Sequence, residues 1–440
     1  MVESGRRARV LCGRLPASRG REKEVERVAK KIGEIKTESL DALKRGKINL
    51  VKFHDGEEGF KVNHMRHFTG RVFPKVAALF FITGSCFINP DAFAASPAPD
   101  LLKAKGEAEA KGFIFETSHD DILANARREG KLRVLSSLES LKEMREAFAR
   151  KYPFIDVQVQ EITGTDAHQR FARELKVGAV KDWDVANASS DFYSEYTPFM
   201  KKFDILGMAR HGVLRTPTGM IDPEKRNIVA ITSQFAVVAY NKGLISRDKV
   251  PQKWEDFLKQ EFKGRKFMVD LRPHPYTAMI PLMGLDWVLE YCRKLAAQEP
   301  IWFRGQTRAL PVIATGEYRL HAGINYHFTV SAMKKDPTGN LQFKVVEPVP
   351  VSMVDTEGVL VAAPHPYAGI LWLEFEASPQ GQEIIDKYVP LKSSLYAPDS
   401  LVEKVLRGKK LSVLNWDNFH MKEKWTGLIV EAFGFPKAKQ

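Results

Sequence analysis

From residue 132 onward, short apolar runs alternate with stretches in which apolar positions recur at helical spacing. Leu132–Leu135 is apolar, and Leu138, Leu141, Met144 and Phe148 then follow at helical spacing behind Ser136-x-x-Glu139, a capping-box pattern. Asp156–Ile162 alternates as a strand does, and Thr163-Gly164-Thr165 opens a helix with Phe171 and Leu175 on one face and Gly178 at its end. Trp183–Ala186 is a third strand, and Ile228–Tyr240 is a long β-like run. After Val250-Pro251, a helix over Trp254–Phe262, a strand over Lys266–Asp270 and a helix over Tyr276–Leu295, kinked or delayed at Pro281, begin a new cycle. Gly305–Thr315 reads as a helix and Leu320–Ile324 as a strand opening onto Asn325-Tyr326-His327. Strands alternating with helices at this pitch predict α/β architecture with parallel, doubly wound sheets. Two such systems, joined by extended crossings near 230–240 and 345–362, predict two lobes with a cleft between them.

The 440 residues carry a net charge of +13, which by itself suggests a polyanionic partner. The first 94 residues hold 19 Lys+Arg against 11 Asp+Glu, leaving the remainder only mildly basic at +5. No aromatic stretch interleaved with Arg or Lys accompanies that charge, so no nucleic-acid partner is expected. Cys12, Cys86 and Cys292 supply no disulfide framework, and Cys292 reads as a buried apolar residue.

The basic stretch after Met65, the apolar Val76–Ile88 and the small-x-small end Ala92-Phe93-Ala94 read as an export signal over 65–94, cut before Ala95. Residues 1–64 are then an upstream extension, read as not translated, with translation starting at Met65, and 95–112 a flexible lead-in. Lipidation at Cys86 is the alternative processing event, and a membrane tether for a sensory or adhesion module requires the segment to stay uncleaved. Asn187-Ala188-Ser189 fits a glycosylation sequon, which carries little weight here. No G-x-S-x-G, H-E-x-x-H, G-x-G-x-x-G or P-loop pattern occurs, so no enzymatic activity is expected; a secreted enzyme using the same cleft is the runner-up.

The series LRVLSSLES, AFARKYPFIDVQV, TGTDAHQRFARELKVGAVKDWDVANAS, AVVAYNKGLI, VPQKWEDFLKQEFKGRKFMVD, VIATGEYRLHAGINY and SPQGQEIIDKYVPLKSSL resembles, in order, the periplasmic solute-binding proteins of ABC importers, in the group typified by ferric-iron binders. The resemblance implies the two-lobed periplasmic-binding-protein fold, with lobe 1 at 113–234 plus 359–440 and lobe 2 at 235–358. It further implies a periplasmic, monomeric receptor that captures a small solute and passes it to an inner-membrane ABC permease, with no resident cofactor.

Ferric-iron members present adjacent tyrosines where this chain has Tyr326 and His327, so these two are metal ligands only if the solute is ferric ion. A small anionic or polar solute is the favoured alternative. Ser136, Ser137, Ser189, Ser190 and Thr307 lie at predicted helix N-termini, and Arg272 and Arg304 offer guanidinium forks for an anion. Asp191, Thr232, Ser233, His274 and Tyr276 complete the candidate ligand contacts, and Glu357 reads by default as an exposed charge.

Overall fold

A computed structural model describes residues 98–188 and 192–435, all within one compact unit, Phe93–Gln440. The upstream extension, the export signal, Cys86 and the candidates Ser189, Ser190 and Asp191 lie outside the described residues. The strands are β1 (Lys131–Ser136), β2 (Asp156–Glu161), β3 (Val185–Asn187), β4 (Ile228–Asn241), β5 (Met268–Asp270), β6 (Ile301–Phe303), β7 (Leu320–Asn325), β8 (Leu341–Lys344), β9 (Val349–Val359) and β10 (Leu411–Leu414). They form one continuous path, β2-β1-β3-β9-β4-β7-β5-β6, with β10 added to β9 and β8 to β4.

Each end of this path is parallel, as helix-linked strands must be: β1 pairs with β2 and β3, and β5 with β6 and β7. The middle is antiparallel. From Ile228 to Phe235, β4 runs against β9; from Ala236 to Asn241 the same strand runs against β7 and β8. Thus the two expected sheets share β4, and both predicted crossings are strands hydrogen-bonded to each other.

The long apolar run of β4 follows from burial on both faces. Ile228 and Ala230 pack with Phe171 and Tyr196, whereas Val229 and Ile231 pack with Phe148 and Trp372. Beyond Phe235 the faces change neighbours: Val237 and Ala239 meet Leu310 and Ile313, and Val238 and Tyr240 meet Trp254 and Tyr291. Each half of the sheet therefore has its own pair of apolar clusters.

Several local expectations differ from the structure. Residues 99–109 are not a loose lead-in but a helix, Pro99–Glu109, in which Lys105 pairs with Glu109 at 3.2 Å and Ala108 reaches the core. Ala, Lys and Glu are strong helix formers, and that propensity outweighs the lack of a clear apolar stripe. The capping box is not made: the helix Leu141–Lys151 starts later without a side-chain cap, because Ser136 and Glu139 are engaged by distant partners. Trp254–Phe262 forms two short 3-10 turns rather than one helix. Tyr276–Leu295 is broken into His274–Thr277, Ile280–Met283 and Leu285–Ala297, with Gly284 at φ +87° separating the last two.

The C-terminal part makes a third set of contacts across the sheet that the two-crossing pattern does not anticipate. Val402 and Leu406 join the cluster around Ile313, Phe419 packs edge-on against Tyr193 at 5.0 Å, and Ile429 and Phe433 pack with Tyr276 and Tyr291. Residues 391–435 therefore do not belong to the first half alone. Among the described residues no helix is long and apolar enough to cross a membrane.

Candidate functional site

Three strands end at one place. Ser137 follows the carboxyl end of β1, Asn187 is the last residue of β3, and His327 and Phe328 follow β7. Together with Gln234 of β4 and with Val354 and Asp355 of β9, they line a cavity of about 160 Å³; His168 and Lys392 complete its wall. Carboxyl ends of strands where the sheet order changes are where α/β folds hold their ligands.

Asp355 is placed there by an uncommon backbone conformation. Successive residues of a strand point to opposite faces, yet Val354 and Asp355 both line the cavity. Asp355 has φ +47°, a left-handed conformation rare for a non-glycine residue, and side-chain bonds hold it there. Its carboxylate accepts hydrogen bonds from Ser137 Oγ at 2.8 Å and Thr232 Oγ1 at 2.6 Å, and pairs with Lys392 Nζ at 3.0 Å. The same ammonium donates to Glu139 Oε2 at 2.7 Å. Ser233 anchors the Lys392 loop: its N–H donates to the Lys392 carbonyl and its Oγ accepts from the Leu395 N–H.

The electrostatics follow from this pairing. Burial alone pulls the Lys392 pKa down, but Asp355 and Glu139 outweigh it and the group lies above the usual lysine value. Burial likewise raises Asp355, and Lys392, Thr232 and Ser137 bring it below the usual carboxylate value. His327, buried and beside Lys392, is pushed down to about 3 and is neutral at physiological pH. Its Nδ1 and the Asn187 Nδ2 are buried with no protein partner.

Behind the cavity lies a second polar group. Ser136 Oγ donates to Glu357 Oε1, and Glu357 adjoins Glu376, both carboxyls fully buried. Burial raises both; Glu357 lies near 7, and Glu376 is pushed well above the ordinary value by burial and by the neighbouring Glu357 charge. The expected exposure of Glu357 is thereby corrected.

The remaining candidates separate into cavity and core. Ser137 and His327 line the cavity, Thr232 and Ser233 hold Asp355 and the Lys392 loop, which do, and Ser136 bonds Glu357 behind it. Tyr326 does not line it; its ring stacks on Phe235 at 4.7 Å and meets Phe343 edge-on. Tyr276 is core, its hydroxyl donating to the Ala322 carbonyl. Arg272 and Arg304 are exposed, with Arg272 turned toward Asp270; Thr307 is exposed and His274 half-buried, none of them on the cavity wall. Cys292 is fully buried, as an apolar core residue is. Among the described residues no group of three or more His, Cys, Asp or Glu side chains is placed to hold a metal ion.

Tyr276→Phe is accordingly expected to lower stability by about 1–2 kcal/mol, through the buried carbonyl left unpaired, with no change in solute binding. Urea denaturation beside calorimetric titration checks both halves of that expectation.

Sequence reasoning missed His168, Asn187, Gln234, Phe328, Val354, Asp355 and Lys392. Lys392 lies within the family-like stretch SPQGQEIIDKYVPLKSSL and Asp355 within the second crossing, two residues before Glu357, so the signal was their location rather than any local pattern.

Comparison with known proteins gives a consistent picture. No curated protein sequence matches the chain. Among solved structures, the fold is similar to that of a ferric binding protein from Campylobacter jejuni, with TM-score 0.55, 16% identity, and coverage of 69% of this chain and 100% of that one. It is also similar to iron-bound HitA from Pseudomonas aeruginosa, with TM-score 0.50, 18% identity, and 69% and 99% coverage. A third similar structure is the substrate-binding protein of an ABC transporter from Agrobacterium tumefaciens, with TM-score 0.51, 17% identity, and 68% and 95% coverage. Identities this low establish the periplasmic-binding-protein fold and nothing about the solute. The sequence profile of bacterial extracellular solute-binding proteins matches residues 196–422, just over half of the chain. The protein therefore belongs to the bacterial extracellular solute-binding protein family and is a binding protein rather than an enzyme.

Proposed function

We propose that the protein is the periplasmic, monomeric receptor of an ABC importer, capturing a small polar solute in the cavity at the ends of β1, β3 and β7 and delivering it to an inner-membrane permease. The observation that carries this reading is the cavity wall itself, which draws Ser137 and Asn187 from one half of the sheet and His327 and Phe328 from the other, across β4 and β9. A solute touching both walls favours the arrangement in which they are close, and that differential is what drives lobe closure. The lobes in this reading are 113–234 with 359–390, and 235–358, hinged at the β4 and β9 crossings, with the C-terminal segment contacting both. Export through the 65–94 segment supplies the protein to the periplasm.

The test is small-angle scattering on the full chain with and without a small-molecule extract of its own periplasm, with native mass spectrometry of the retained species. The radius of gyration is expected to fall on binding, and His327→Ala to abolish the change while Arg272→Ala and Arg304→Ala keep it. An unchanged scattering profile with no retained solute overturns the receptor reading.

A further inference from the structure

We infer that the solute is uncharged, a small molecule bearing several hydroxyl or amide groups, and that the site discriminates against free anions and metal cations; this rests on the receptor reading above. Among the described residues, the fixed charges at the cavity are already committed to one another. The single ammonium, Lys392, is held by Asp355 at 3.0 Å and by Glu139 at 2.7 Å, and Asp355 is further held by Ser137 and Thr232. An incoming anion meets an ammonium already neutralised by two carboxylates and brings a further negative charge close to both of them. A cation meets the Lys392 ammonium, and the one carboxylate on the wall, Asp355, already has that ammonium as its counter-charge and a hydroxyl donating to each of its oxygens.

What the wall leaves free is neutral hydrogen-bonding capacity. Asn187 Nδ2 is a buried donor with no protein partner, and His327 Nδ1 is a buried imidazole nitrogen with none. Unpaired groups of this kind are costly, and a ligand bearing complementary hydroxyls or amides relieves the cost. Gln234, whose Oε1 accepts from Asn325 at 2.9 Å, adds a positioned amide, and Phe328 and Val354 supply apolar surface for a carbon skeleton. The arginines that would recognise an anion as a fork are exposed and away from the wall, and the tyrosine that would ligate ferric ion is stacked on Phe235.

Isothermal titration of the full chain tests this with four groups of probe: glycerol, erythritol and acetamide; acetate, phosphate and methylphosphonate; putrescine; and ferric citrate. At least one uncharged probe is expected to bind saturably, with an affinity that stays constant between about 20 and 500 mM NaCl, since no screened charge takes part. Asn187→Ala is expected to weaken it by about tenfold, and His327→Gln, a second variant whose folding is checked by circular dichroism, to do the same. Binding confined to an anion, to putrescine or to ferric citrate overturns the inference while leaving the receptor reading intact. Failure of every uncharged probe also overturns it, and the scattering experiment then judges the receptor reading separately.

Discussion

Lys392→Met is expected to destabilise the protein by about 3–5 kcal/mol, because it leaves Asp355 as a buried carboxylate without its counter-charge. Lys392 and Asp355 sit together at the junction of three segments far apart in sequence, and Glu139 holds the ammonium from the other side. Once the ammonium is removed, Ser137 and Thr232 alone must stabilise the Asp355 charge in its left-handed backbone position. The loss is therefore one of an uncompensated buried charge rather than of a contact. Adding Asp355→Asn to Lys392→Met is expected to restore a large part of the stability, since an amide can still be hydrogen-bonded by the two hydroxyls without carrying charge. Urea midpoints of the wild type, both single variants and the double variant measure the coupling. Additive effects of the two substitutions would contradict a paired role.

The buried pair Glu357 and Glu376 gives the second large effect, and its sign is opposite to that of an ordinary salt-bridged carboxylate. The pKa of Glu357, near 7 in the folded state against an ordinary 4.5, means that the native protein holds a proton more tightly than the unfolded chain. The associated stability is fully present below about pH 4.5 and is lost as pH rises through the raised folded value. Burial is the main cause, opposed by the hydrogen bond from Ser136 and reinforced by the Asp355 charge. In Glu376→Gln, a neutral amide adjoins Glu357 and can donate to its carboxylate. That variant is expected to be more stable than wild type at pH 8 and to show a flatter stability profile between pH 5 and 8, read by urea denaturation at each pH. An unchanged slope would mean that the two carboxyls do not share a proton.

How far the sequence reaches is clearest at β4 and β9. Both are visible as long apolar runs, because a strand covered on both faces must be apolar at every position. That they pair with each other, and that one strand serves both halves of the sheet, depends on register, which the run itself does not encode. The helix Pro99–Glu109 shows the opposite failure: local propensity was present in its Ala, Lys and Glu residues, but the absence of periodicity hid it. The capping-box motif at Ser136 and Glu139 was legible and misleading. Its two polar side chains find stronger partners in Glu357 and Lys392, which only the folded chain brings near.

The sequence by itself determined the α/β alternation, the two extended crossings and the resemblance to exported solute-binding proteins, because hydrophobic period and ordered motifs are local properties. Only the tertiary structure decided which polar residues meet. Ser137 and His327 reached the cavity, while Tyr276 and Tyr326 were taken into apolar packing and the arginines stayed in solvent. The charged centre joins Ser137, Thr232, Asp355 and Lys392, residues separated by up to 255 positions, and it forms because a buried carboxylate must find a counter-charge wherever the fold supplies one.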